Sequence, residues 1–181
     1  SAKEIRHIVF DLGDSGMAYE AGDALGVMPV NAPDLVAAWL KRLNVASDTD
    51  IGGAPLDELL TSDLEIMTPS RELIRGVELV AENEELTGVV KSQDKGLLEK
   101  YLWGKDSLDL LKLCPNVSFD IAELLSWLKP LQHRAYSISS SSKAHKNEVH
   151  LTVAAVRWNH DNRSHKGVCS TFLADNVPVG E

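Results

Sequence analysis

A chain of 181 residues, 44% of them hydrophobic and 25% charged, has room for one ample core, or for a core carrying a sizeable insertion. Its formal net charge of -9, from 18 basic and 27 acidic residues, opposes the phosphate surfaces of nucleic acid and anionic lipid, so neither is expected as a partner. No window approaches the roughly 18 consecutive apolar residues of a membrane helix. The start, Ser1-Ala2-Lys3-Glu4-Ile5-Arg6, has charge where a signal peptide needs an apolar stretch, and Cys114 and Cys169 stand too far apart for a disulfide framework or a zinc knuckle. A cytoplasmic location is therefore expected.

The chain opens in strands. Ile5 to Asp11 is β-rich, Gly13, Gly16 and Gly22 punctuate the next stretch, and Gly22-Asp23 reads as a turn into a short strand, Ala24-Leu25-Gly26-Val27. From residue 32 the period changes. Leu35, Val36, Trp39, Leu40 and Leu43 recur at helical spacing behind Pro33. Thr68-Pro69 offers an N-cap and a first-turn proline for a helix to about Val80, while Glu82-Asn83-Glu84-Glu85 reads as a solvated helix end. Further helices are expected at Leu97 to Leu102, at Leu108 to Leu113 before Pro115, and from near Ser118 through Ile121, Leu124, Leu125 and Leu128 to Pro130. Trp39, Leu43, Leu124 and Trp127 are expected in the core. Alternation then returns: Val149, Leu151, Val153 and Ala155 against His150, Thr152, Ala154 and Val156. Gly167 precedes Cys169 to Leu173, a loop opening a helix. The order predicts an α+β protein, with a split β domain over residues 1–31 and 131–181 and an all-helical insertion over 32–130.

Two short stretches carry chemistry. In Arg134-Ala135-Tyr136-Ser137 an arginine fork can clamp a pyrophosphate, and two residues on, on the same strand face, a tyrosine can lie flat on an aromatic ligand. A surface arginine beside a core tyrosine would read the same way. In Gly167-Val168-Cys169-Ser170-Thr171 a glycine loop opening a helix presents backbone N–H groups and a positive dipole end to phosphate, although an ordinary capped helix also fits. The two sites flank one strand, as a dinucleotide with one pyrophosphate and one flat ring system would require. His145 and His150, and His160 and His165, stand five apart with no third ligand at a fixed offset, so no metal site is expected. A glycine motif for nicotinamide binding is lacking.

The stretch from Leu131 to Thr152 resembles the flavin-contacting stretch of diflavin reductases, a family that includes the sulfite reductase flavoprotein, microsomal cytochrome reductase and the reductase region of nitric oxide synthase. The wording is nearest the bacterial sulfite reductase branch. Gly167 to Asp175 resembles the family's second FAD motif, and Ile5 to Gly13 and Tyr19 to Val27 its early strands. The resemblance implies a ferredoxin-reductase-like antiparallel β-barrel, incomplete here, with the helical block as the connecting insertion. It implies that Arg134 binds the FAD pyrophosphate and Tyr136 stacks on the isoalloxazine. By the same resemblance Ser137, the catalytic position, would hydrogen-bond near the hydride-accepting nitrogen. The resemblance likewise implies that Thr152, Val153 and Ala154 line the flavin edge and that Gly167, Val168, Cys169 and Ser170 cradle phosphate. It further implies hydride transfer from NADPH to FAD, then electrons through FMN to a haemoprotein, with the FMN-binding and NADPH-binding domains outside this sequence. The chain starts after the family's first barrel strand and stops before its last, so it is expected to hold FAD weakly or not at all by itself. A different class of protein, a docking module for another redox domain with no flavin, remains the alternative.

Overall fold

The computed structural model describes residues 3–177. These separate into two compact units: a sheet unit of residues 3–30, 132–157 and 166–177, and a helical unit of residues 31–131 and 158–165.

In the sheet unit, β1 (Ile5–Asp11) and β4 (Glu148–Ala154) run antiparallel with Ile8 opposite Leu151, and β2 (Ala24–Val27) pairs with β3 (Arg134–Ser137), Leu25 opposite Tyr136. Alternation decides which side is core. Val149, Leu151 and Val153 turn inward to join Leu12, Val27, Cys169 and Leu173, while His150, Thr152 and Ala154 face outward. One bridge, Ile138 to Leu151, connects the two ladders. The mixed α and β content agrees with the sequence reading, but the described residues make five two-stranded antiparallel ladders and no closed barrel. Closure needs each strand to carry ladders on both edges, and a single bridge between the two pairs does not supply that.

The helical unit gathers α1 (Pro33–Leu43), α2 (Arg71–Val80), α3 (Glu84–Ser92), α4 (Lys95–Leu102), α5 (Ser107–Leu111) and α6 (Ile121–Ser126) around one core. Their starts follow capping chemistry. Ser70, Asn83, Asp94, Asp106 and Asp120 each accept the amide three residues on, satisfying a donor that has no partner inside the helix. Two expected starts therefore shift: Ser70 caps α2 in place of Thr68, and Asp120 caps α6 in place of Ser118. The polar run at 82–85 is a helix beginning rather than an end, with Asn83 capping α3 and Glu84 and Glu85 favourably placed in its first turn. Trp39 and Leu124 are fully buried, and Leu43 and Trp127 are half-buried against the same core. Trp127 lies over Gly76 of α2, where a Cβ would come within 2.5 Å of its ring, so glycine is required by close approach. Two-residue ladders at 50–51 with 54–55 and at 64–65 with 129–130 are the strand content of this stretch among the described residues.

Residues 157–166, assigned in the sequence to the β domain, form a hairpin, β5 (Arg157–His160) and β6 (Arg163–Lys166), turning through Asp161 and Asn162, both at positive φ. Its residues 158–165 belong to the helical unit. Arg163 grips both oxygens of Asp106 at 2.8 Å and also bonds Asp109, His165 Nε2 lies 2.7 Å from Asp109, and Trp158 stacks on His165 while donating to Gly104 O at 2.9 Å. No helix of the described residues is long and apolar enough to cross a membrane.

Candidate functional site

β3 presents Arg134 and Tyr136 on one face because strand residues two apart point the same way. That face is the inner one: Tyr136 packs on the core cluster of the sheet unit, and its partner Leu25 does likewise. Arg134 is half-buried, and its Nη1 donates to Gln132 O at 2.7 Å. Ser137 is exposed, on the other face of the strand, and pairs with Ala24. It is the last residue of the strand.

The helix start comes to the same place. α7 (Val168–Thr171) opens after Gly167 and continues into a wider helical turn, Phe172–Asn176. Two reciprocal bonds fix it to the chain just beyond β4: Gly167 N donates to Val156 O at 2.9 Å, and Val156 N donates to Ser170 Oγ at 3.1 Å. A Cβ at 167 would stand 2.7 Å from that Oγ and 3.2 Å from Val156 Cβ, so glycine is what lets the chain turn this tightly. The amides of Val168, Cys169 and Ser170 sit in a first turn, where no intrahelical acceptor exists.

Cys169 joins the two halves. Its thiol is buried, 3.8 Å from Val27 O, and lies beside Tyr136 within reach of the charge of Arg134. Burial pushes the thiol pKa up, against the smaller effects of Tyr136 and Arg134, so this is a packing thiol and not an activated thiolate. Tyr136 is held well above the usual phenol range, first by burial and then by Cys169, and stays neutral. The structure thus brings Arg134, Tyr136 and Cys169 together. Val153 is buried in the core, whereas Thr152 and Ala154 are exposed on the other face of β4, Thr152 with its hydroxyl 3.3 Å from Ser139 Oγ. The three cannot all meet one ligand by side chain; Val153 can do so through backbone alone.

Two clefts of the sheet unit, of about 810 and 220 Å³, are lined by residues of 12–25, 138–143 and Val149, and by none of Arg134, Tyr136 or Gly167 to Ser170. Hollow volume and these polar groups therefore lie in different places. A half-buried guanidinium, a neutral aromatic ring and a glycine-led helix start fit a dinucleotide with a pyrophosphate and a flat ring.

The chain belongs to the family of FAD binding domains, whose family model matches residues 1–172. FAD is thus the cofactor of its class. Beyond the class, it is similar to the sulfite reductase (NADPH) flavoprotein alpha-component of Bacillus subtilis (strain 168), 36% identical over 187 residues and the whole of this chain. It is 40% identical to that of Mannheimia succiniciproducens and 36% identical to that of Escherichia coli (strain K12), each over 98% of this chain. The chain spans 31% of the length of the first relative and 30% of the other two.

Sequence reasoning missed two clusters. Glu148 stands between His145 and His150, three residues from one and two from the other, so the signal was present as His-x-x-Glu-x-His. The Asp106, Asp109, Arg163 and His165 network joins residues more than fifty positions apart, and no local pattern announces it.

Proposed function

We propose that this chain is the FAD-binding part of a longer NADPH-dependent diflavin reductase of the sulfite reductase type. The observation that carries the reading is the convergence of Arg134 and Tyr136 with the helix start at Gly167, through Cys169. Arg134 would hold the pyrophosphate with a bidentate, charge-assisted fork, and the amides of Val168, Cys169 and Ser170 would share the same negative charge. Tyr136, neutral and half-buried, would give the ring system a flat wall, and Ser137 at the strand end would place a hydroxyl at its edge. FAD held there would accept hydride from NADPH and release electrons through FMN to a haemoprotein such as sulfite reductase. The protein's part is binding, orientation and exclusion of water. The NADPH-binding and FMN-binding domains would lie in the rest of the longer protein, consistent with the fraction of its relatives that this chain spans.

Flavin titration tests the reading. FAD added to the longest natural form of the protein should quench and shift on binding. Tyr136→Ala should lose a stacking contact of about 0.5–1.5 kcal/mol, a loss of affinity of up to roughly tenfold with an altered flavin spectrum. An unchanged spectrum and affinity would remove Tyr136 from the site. No flavin binding at all would favour a docking module instead.

A further inference from the structure

The sheet unit carries a second set of converging donors on the outer face of β4, away from the inward-facing Tyr136. Glu148 and His150 share that face at the start of the strand, and His145 reaches them from the preceding turn, where its amide donates to Ser141 O at 2.9 Å. Glu148 Oε2 lies 3.2 Å from His145 Nδ1 and 2.9 Å from His150 Nε2, and all three donor atoms lie within 4.8 Å of one another. A tetrahedral ion bound at about 2.0–2.1 Å has edges of about 3.3 Å between its ligands. Both separations from Glu148 are close to that edge, so a small movement of exposed side chains would seat an ion.

The backbone behind these donors is already fixed. His150 N donates to Ser140 Oγ at 3.0 Å, and His150 O accepts from Ser139 N at 2.8 Å and Ser139 Oγ at 3.0 Å. Tyr19 donates its hydroxyl to Glu148 O at 2.9 Å and bonds Ser140 Oγ at 2.6 Å. These bonds hold the backbone that carries Glu148 and His150 in place. The other His and carboxylate group among the described residues, Asp106, Asp109 and His165, offers a contrast. There Arg163 already places a fixed positive charge on both carboxylates, leaving no role for an ion.

We propose that His145, Glu148 and His150 form a site for a divalent transition ion of the zinc class, with water as the fourth ligand. Two imidazoles and one carboxylate suit zinc and its neighbours, whereas calcium and magnesium prefer all-oxygen sets. The side chains of His145 and Glu148 are 43% and 45% exposed, so water can reach the open position. His150, at 13%, anchors the site to the sheet.

The test uses the tag-free full chain with Co2+ and Zn2+ as the probes. One equivalent of Co2+ should give the strong visible absorption of a four-coordinate ion and be displaced by Zn2+. His145→Ala removes an exposed turn residue without touching the core, and should weaken Zn2+ binding at least tenfold. Glu148→Gln should do the same, while His160→Ala, in the helical unit, should leave binding unchanged. Absence of a four-coordinate Co2+ signal, or Zn2+ affinity that is equal in the His145→Ala chain, would overturn the proposal.

Discussion

Seventeen buried residues, drawn from all six helices and the loops between them, form one cluster in the helical unit, whereas the sheet unit gathers seven around Leu151. The chemistry is distributed the other way. Arg134, Tyr136 and the helix start at Gly167 are in the thinly cored unit, positioned by one short ladder and two reciprocal cap bonds. The helical unit holds its own shape by burial, and its charged groups serve internal fastening: Arg42 donates to the carbonyls of Leu111, Cys114 and Val117, closing the end of α5. A region rich in core resists perturbation, and a region poor in core is free to present half-exposed polar groups and to respond to a ligand.

The largest expected effect tests the rich side of that contrast. Trp39→Ala, at a fully buried site, should lower stability by about 3–5 kcal/mol in urea unfolding followed by helical circular dichroism. A loss below about 1 kcal/mol would mean that the cluster is not the framework of the unit.

Next comes the buried charge network. Burial alone would raise the Asp109 carboxyl, but the Asp106 amide, His165 and Arg163 together hold it below the usual range. A carboxyl held low in the fold binds its proton less readily folded than unfolded. Its contribution is therefore complete above the ordinary value of about 4 and is lost as pH falls through the lower, folded value. Asp109→Ala should cost close to 3 kcal/mol at neutral pH, the lower end of about 3–5 for a broken buried pair, because Asp106 keeps its bidentate hold on Arg163. Urea midpoints measured from pH 7 to 2 should fall less steeply for the variant than for the natural chain. Parallel curves would show that Asp109 is not the titrating group.

Much of this organisation is legible in the sequence where periodicity is strong, and illegible where contacts are remote. Alternation from Val149 to Ala154 marks β4, and the spacing of Val36 and Trp39 marks α1. The α3 start is hidden because its cap and first turn, Asn83-Glu84-Glu85, are polar and resemble an ending. The hairpin at 157–166 has no apolar alternation, since its buried side is a charge network completed by Asp106 and Asp109. Individual strand signals cannot state whether ladders close; the barrel is implied by the family resemblance, and the described residues form two-stranded antiparallel pairs instead. At the candidate site, the face shared by Arg134 and Tyr136 follows from strand period alone, whereas the thiol that links them to the helix start comes from 33 positions beyond Tyr136.

The flavin reading rests on Arg134 acting as a fork and Cys169 acting as packing, and one titration separates the two roles. FAD is titrated into the longest natural form of the protein and into its Arg134→Lys and Cys169→Ser variants, with flavin fluorescence as the readout. Lysine keeps the charge but not the bidentate geometry, so affinity should fall about tenfold to hundredfold, or roughly 1.5–3 kcal/mol, while serine at 169 should change it far less. Equal FAD affinity with lysine at 134 would contradict the pyrophosphate role and, with it, the account of the site.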